Sequence, residues 1–135
     1  MTSRLSLNNK KKRILFVDDE PDLTSLLEIA LERAGFNVVT FNDPSIALEH
    51  FQPDLYGLVF LDIIMPKIDG FKLYKQIKKV DPRMKVCFLT ASEMYRDEIR
   101  EVEHCTFNTD LFLQKPISIS TDDLIMEINN KINSN

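Results

Sequence analysis

From residue 13 onward, short apolar runs alternate with segments whose apolar positions recur at helical spacing. Ile14-Leu15-Phe16-Val17 is a continuous apolar run, the mark of a strand buried on both faces. It stops at Asp18-Asp19-Glu20, and Pro21 suits the first turn of a helix. Leu23, Leu26, Leu27, Ala30, Leu31 and Ala34 form the stripe of that helix, which Gly35 ends. Val38-Val39-Thr40-Phe41 reads as a second strand. Asp43-Pro44 then caps and starts a helix carrying Ile46, Ala47, Leu48 and Phe51.

Leu58-Val59-Phe60-Leu61 predicts a third buried strand, ending at Asp62. After Met65-Pro66, Gly70 leads into a helix with Phe71, Tyr74, Ile77 and Val80. Val86-Cys87-Phe88-Leu89 is a fourth strand, ending at Thr90, and Ser92 to His104 reads as a weakly amphipathic helix. Leu111-Phe112-Leu113 is the fifth strand, followed by Lys115-Pro116. A last helix opens near Thr121-Asp122-Asp123 and buries Leu124, Ile125, Ile128 and Ile132. Five strand–helix pairs in strict alternation imply an α/β fold: a doubly wound, five-stranded parallel sheet with helices on both faces.

Composition narrows the class. At 135 residues the chain has room for one core. Residues 13–133 are read as that domain, and residues 1–12 as a flexible basic N-terminal tail. Hydrophobic residues at 44% and charged residues at 28% fit a globular protein. Seventeen Lys+Arg against twenty-one Asp+Glu leave a net charge of -4, which argues against a broad nucleic-acid-binding face. No apolar run is long enough for a bilayer, and Met1 to Lys12 holds no apolar leader, so a cytoplasmic location is expected, with no membrane partner. Cys87 and Cys105, like His50 and His104, have no metal-ligand spacing.

In open parallel sheets, ligands sit outside the carboxyl ends of the strands. Those ends carry Asp18-Asp19, Asp62, Thr90 and, just past the fifth strand, Lys115. Each has a plain reading alone: a helix cap for Asp18 or Asp19, a turn residue for Asp62, a cap for Thr90, a solvated lysine for Lys115. Their joint placement at four strand ends points to chemistry. Three clustered carboxylates call for a hard cation with oxygen ligands, and an open site that keeps waters suits Mg²⁺. Lys115 and Thr90 are the right types to hold a phosphoryl group, while one carboxylate serves as nucleophile and forms an acyl phosphate.

The words "ILFVDDEPDL" at 14–23, "VFLDIIMPKIDG" at 59–70, "FLTAS" at 88–92 and "FLQKPIS" at 112–118 resemble the receiver domain of two-component response regulators. The resemblance covers residues 13 to 133 and implies the (βα)5 flavodoxin-like receiver fold. It implies Asp62 as phosphoacceptor, with Asp19 and Asp62 ligating Mg²⁺ (or Mn²⁺ in its place), Asp18 acting mainly through water, and the backbone carbonyl of Ile64 completing the site. It further implies that Thr90 donates to the phosphoryl oxygen, that Lys115 pairs with it, and that Thr90 and Phe112 form the switch. Ile64 and Ser92 occupy the positions that tune loss of the phosphoryl group to water. The chain departs from the family pattern over Glu103 to Asp110, where no Gly-Ala precedes the fifth strand.

The function this implies is a receiver that takes its phosphoryl group from a sensor histidine kinase, or from a histidine phosphotransfer protein, and switches a protein-interaction face. It is not an enzyme beyond catalysing its own phosphorylation and dephosphorylation. With no residues after the last helix for a DNA-binding domain, a stand-alone form is expected, as a monomer or a phosphorylation-dependent dimer acting on a downstream protein. The alternatives are a relay intermediate or a phosphate-independent interaction module. An aspartyl phosphatase fits poorly, because its Asp-x-Asp is replaced by Asp18-Asp19-Glu20. A flavodoxin-like electron carrier lacks its phosphate loop after the first strand.

Overall fold

The computed structural model of the chain describes residues 13–63, 65, 68–90, 112–114 and 121–133. Among these, β1 (Arg13–Val17), α1 (Pro21–Arg33), β2 (Asn37–Phe41), α2 (Pro44–His50), β3 (Leu58–Asp62), α3 (Gly70–Val80), β4 (Val86–Thr90), β5 (Phe112–Gln114) and α4 (Thr121–Asn133) follow in order. The expected helix over 92–104 and the basic tail lie outside the described residues.

The five strands form one sheet in the order β2-β1-β3-β4-β5, every pair parallel. Alternate residues of a strand face opposite sides, and here both sides are covered. Ile14, Phe16, Leu58, Phe60, Cys87 and Leu89 pack with Leu27 and Leu31 of α1 and with Leu124, Ile128 and Ile132 of α4. Leu15, Val17, Val59, Leu61, Val86 and Phe88 pack on the other face with Ala47 of α2 and Leu73, Tyr74 and Ile77 of α3. That double burial is why the strands read as unbroken apolar runs. Phe16 stacks on Phe60 at 4.7 Å on one face, and Phe71 and Tyr74 flank Phe88 at 5.3 and 5.4 Å on the other.

The helix ends follow the expected chemistry. Gly35, at φ 96°, ends α1, with its N–H donating to the Glu32 carbonyl (3.0 Å) and the Phe36 N–H to the Leu31 carbonyl (3.1 Å). This is a Schellman closure with its two apolar partners, Leu31 and Phe36, both in the core. Asp43 caps α2 by accepting from the Ser45 N–H, and Asp69 caps α3 by accepting from the Lys72 N–H.

The helix stripes need correction. Leu26 and Ile46 stand at the surface, 65% and 44% exposed, and Ala34 is exposed too. The buried residues of α1 are Thr24, Leu27 and Leu31. Spaced by three and four, these face one way, and Leu26 points a third of a turn aside. Likewise Val80 is exposed while Leu73, which the periodicity left out, is fully buried. The fifth strand, read over Leu111 to Leu113, is described from Phe112 and extends to Gln114, while Leu111 lies outside the described residues.

Candidate functional site

The chain passes from β1 to the β2 edge and then returns across β1 to β3, so the strand order switches direction between β1 and β3. Side chains from the loops after two such strands face a shared crevice, because the neighbouring crossovers depart in opposite directions. Asp18 follows β1 directly, and Asp62 is the last residue of β3.

Both are held by backbone bonds. The Asp18 N–H donates to the Phe41 carbonyl at 3.1 Å, continuing the β1–β2 ladder one step past its last pair, Val17 with Phe41. The side-chain Oδ1 of Asp18 accepts from the Glu20 N–H at 2.9 Å. Asp62 pairs with Leu89 of β4, and the next residue, Ile63, donates to the Leu89 carbonyl at 3.0 Å. Asp18 is fully buried and Asp62 is 4% exposed.

One carboxylate oxygen from each of Asp18, Asp19, Glu20 and Asp62 lies within 4.8 Å of the others. At an effective dielectric near 20, two unit charges at that separation repel by about 3.5 kcal/mol, and solvent screens the repulsion for the more open Asp19 and Glu20. The donors are all oxygens, two from buried and two from more open side chains. A hard divalent cation that keeps some of its waters fits this set, whereas a thiophilic metal does not.

Of the residues expected at the site, Asp18, Asp19 and Asp62 therefore come together. Glu20 joins them, although it was not counted as a site residue; its place directly after the acidic pair was the available signal. Thr90 closes β4, and Phe112 opens β5 opposite Phe88, two residues before Gln114, the partner of Thr90. Ile64, Ser92 and Lys115 lie outside the described residues. His50 is ordinary: its Nδ1 is 2.9 Å from the Ile46 carbonyl, and its ring stacks on Phe41.

Two further features escaped sequence reading. Gly70 packs so closely on the strand end that an added Cβ would collide with the Asp62 carbonyl oxygen and lie 2.8 Å from the Ile63 Cα. Its N–H donates to the Ile63 carbonyl at 2.8 Å, tying the start of α3 to the end of β3. Asn42, just past β2, donates from Nδ2 to the Asp18 carbonyl at 2.7 Å and to Thr24 Oγ1 at 3.2 Å.

Comparison with known proteins gives a consistent set of relatives. The family model of the response regulator receiver domain matches residues 14–129. The alkaline phosphatase synthesis transcriptional regulatory protein PhoP of Bacillus subtilis is 34% identical over 107 residues, 79% of this chain and 43% of that protein. The response regulator receiver protein CpdR of Brucella abortus is 38% identical over 79 residues, 58% of this chain and 66% of that protein. The chain thus covers less than two thirds of either relative's length. Among solved structures, response regulator protein TrrA from Thermotoga maritima, in complex with Mg²⁺ and beryllium fluoride, is 31% identical with a TM-score of 0.71, covering 89% of this chain and 98% of that one. The non-phosphorylated HemR receiver domain of Leptospira biflexa is 27% identical with a TM-score of 0.76, covering 91% of this chain and 95% of that one.

Proposed function

Because the chain belongs to the response regulator receiver domain family, we propose that it accepts a phosphoryl group on Asp62 from a phosphohistidine and uses the change to switch a protein-interaction face. The observation that carries this reading is the convergence of the Asp18, Asp19, Glu20 and Asp62 carboxylates at the carboxyl ends of β1 and β3.

A carboxylate oxygen of Asp62 attacks phosphorus, and the new P–O bond forms as the P–N bond to the donor imidazole breaks. The imidazole leaves with the electron pair. The incoming group adds negative charge where three other carboxylates already stand, and bound Mg²⁺ supplies the compensating positive charge. Asp19 and Asp62 would hold the ion directly, Asp18 through water, and the Ile64 carbonyl would complete the set. The TrrA structure, which contains Mg²⁺ and a beryllium fluoride group, supports this choice of ion.

Thr90 and Lys115 hold the transferred oxygens, one as a hydrogen-bond donor and the other as a point charge. Thr90 and Phe112 then serve as the two-state element that carries the local charge change outward. Ile64 and Ser92 set how readily water removes the group. The donor is a sensor histidine kinase or a histidine phosphotransfer protein, in the cytoplasm, and the output is contact with a downstream protein. Among the described residues, no helix is long and apolar enough to cross a membrane. Receiver domains are signalling modules, and the chemistry proposed here is confined to the protein's own aspartate.

Intact-mass spectrometry after incubation with acetyl phosphate and Mg²⁺ tests the reading. One phosphoryl adduct is expected, lost when EDTA replaces Mg²⁺. A folded protein that gives no adduct and binds no Mg²⁺ would instead be a phosphate-independent interaction module.

A further inference from the structure

We infer that Asn42 and Thr24 are positioning residues for the Mg²⁺ site, holding the acidic loop in ligand geometry through a side-chain bridge from β2 to α1. The inference rests on the reading of Asp18, Asp19 and Asp62 as the ion's carboxylates.

Mg²⁺ demands near-octahedral oxygen geometry at about 2.0–2.1 Å and tolerates misplaced ligands poorly. Three of the four clustered carboxylates, Asp18, Asp19 and Glu20, sit on one short loop between β1 and α1. The loop is fixed by bonds to its backbone. The Asp18 N–H donates to the Phe41 carbonyl at 3.1 Å, and the Asp18 carbonyl accepts from Asn42 Nδ2 at 2.7 Å. Because peptide units are planar, these two bonds orient both peptide planes that flank Asp18, and the second plane leads directly to Asp19.

Asn42 carries the bridge onward. Its amide has two hydrogens, one for the Asp18 carbonyl and one for Thr24 Oγ1 at 3.2 Å. The Thr24 hydroxyl in turn donates to the Pro21 carbonyl at 3.1 Å and lies 3.5 Å from the Glu20 carbonyl. Thr24 is 2% exposed, so this hydroxyl works in a site sheltered from water. Asn42, Thr24, Asp18 and Pro21 thus close a ring of hydrogen bonds around the loop, from its first residue to the start of α1.

The residue types are specific to this task. An aspartate at 42 has the same shape but no donors, so it would turn lone pairs toward the Asp18 carbonyl. A valine at 24 keeps the volume and loses the hydroxyl. A serine at 24 keeps the hydroxyl.

Calorimetric titration with Mg²⁺ alone, beside the melting temperature in EDTA, tests the inference on the full chain. Asn42→Ala, Asn42→Asp and Thr24→Val are expected to bind Mg²⁺ about tenfold more weakly, as lost support of metal ligands generally costs. Thr24→Ser is expected to bind nearly as the native chain does. Asn42→Asp is the sharpest arm, because it adds a negative charge near the ion and yet should weaken binding. Native affinity in Asn42→Ala, tighter binding in Asn42→Asp, or a loss in Thr24→Ser equal to that in Thr24→Val would each overturn the inference. So would variants that lose melting temperature with affinity unchanged. If the native chain itself binds no Mg²⁺, the underlying reading of the site fails, and this inference falls with it.

Discussion

Gly70 stands against the backbone carbonyl of Asp62, with no room for a side chain between them. The helix that begins at Gly70 is thereby pressed onto the end of the strand that presents the Asp62 carboxylate. A hydrogen bond from the Gly70 N–H to the Ile63 carbonyl, at 2.8 Å, holds the two elements together.

Gly70→Ala should therefore destabilise the protein. In an open helix the same change would stabilise by up to about 1 kcal/mol. Here the collision with Asp62 must be relieved by backbone movement, at about 1–3 kcal/mol for overpacking. Urea denaturation measures the sign. A more stable Gly70→Ala would show that the contact imposes no constraint.

Charge crowding gives a second expectation. Asp62→Asn removes one of four carboxylates that approach within 4.8 Å, and in EDTA it should raise stability by about 1–3 kcal/mol. In the native chain Mg²⁺ should raise the melting temperature, by the amount that ligand binding to the folded state alone provides. The Asn variant should show a much smaller rise. Lower stability in EDTA with an undiminished Mg²⁺ response would sink the crowding account.

The phosphoryl lifetime offers a third. Ile64, read from the sequence as the aliphatic residue two places after Asp62, cannot orient an attacking water. Ile64→Asn should shorten the lifetime of the phospho-protein severalfold, followed by decay of the adduct in intact-mass spectra. An equal or longer lifetime would rule this out.

Tyr56 sets an alkaline limit. Burial pushes its phenol above the ordinary value of 10.0, with the Arg13 guanidinium pulling part of the way back. The fold thus favours the neutral ring. Its contribution is complete below pH 10 and drains away as pH rises through the higher folded value. Tyr56→Phe should flatten the alkaline decline, by at most about 1.4 kcal/mol per pH unit for one proton. Parallel stability curves for the two proteins above pH 10 would contradict this.

The sheet was legible in the sequence because burial on both faces writes strands as unbroken apolar runs, as at Ile14 to Val17 and Leu58 to Leu61. Asp18, Asp19 and Asp62 were legible because they end such runs. The helix faces were harder. Periodicity fixes the angle between Leu26 and Leu27 but not which of them meets the core, and a buried threonine looks polar until its partners are known. Thr24 is buried because its hydroxyl bonds to Asn42 and Pro21. Asn42 was illegible for the same reason: its target, the Asp18 carbonyl, is 24 residues away and belongs to the backbone. Gly70 read correctly as the start of a helix, while its packing against Asp62 is a tertiary fact.

The most direct test of the central claim is to locate the acyl phosphate. Protein treated with acetyl phosphate and Mg²⁺, then reduced with borohydride, carries homoserine wherever an aspartyl phosphate stood, and peptide mass mapping finds it. Conversion at Asp62, absent when Mg²⁺ is withheld, is the expected result. Conversion at Asp18, Asp19 or another residue, with Asp62 intact, would contradict the account.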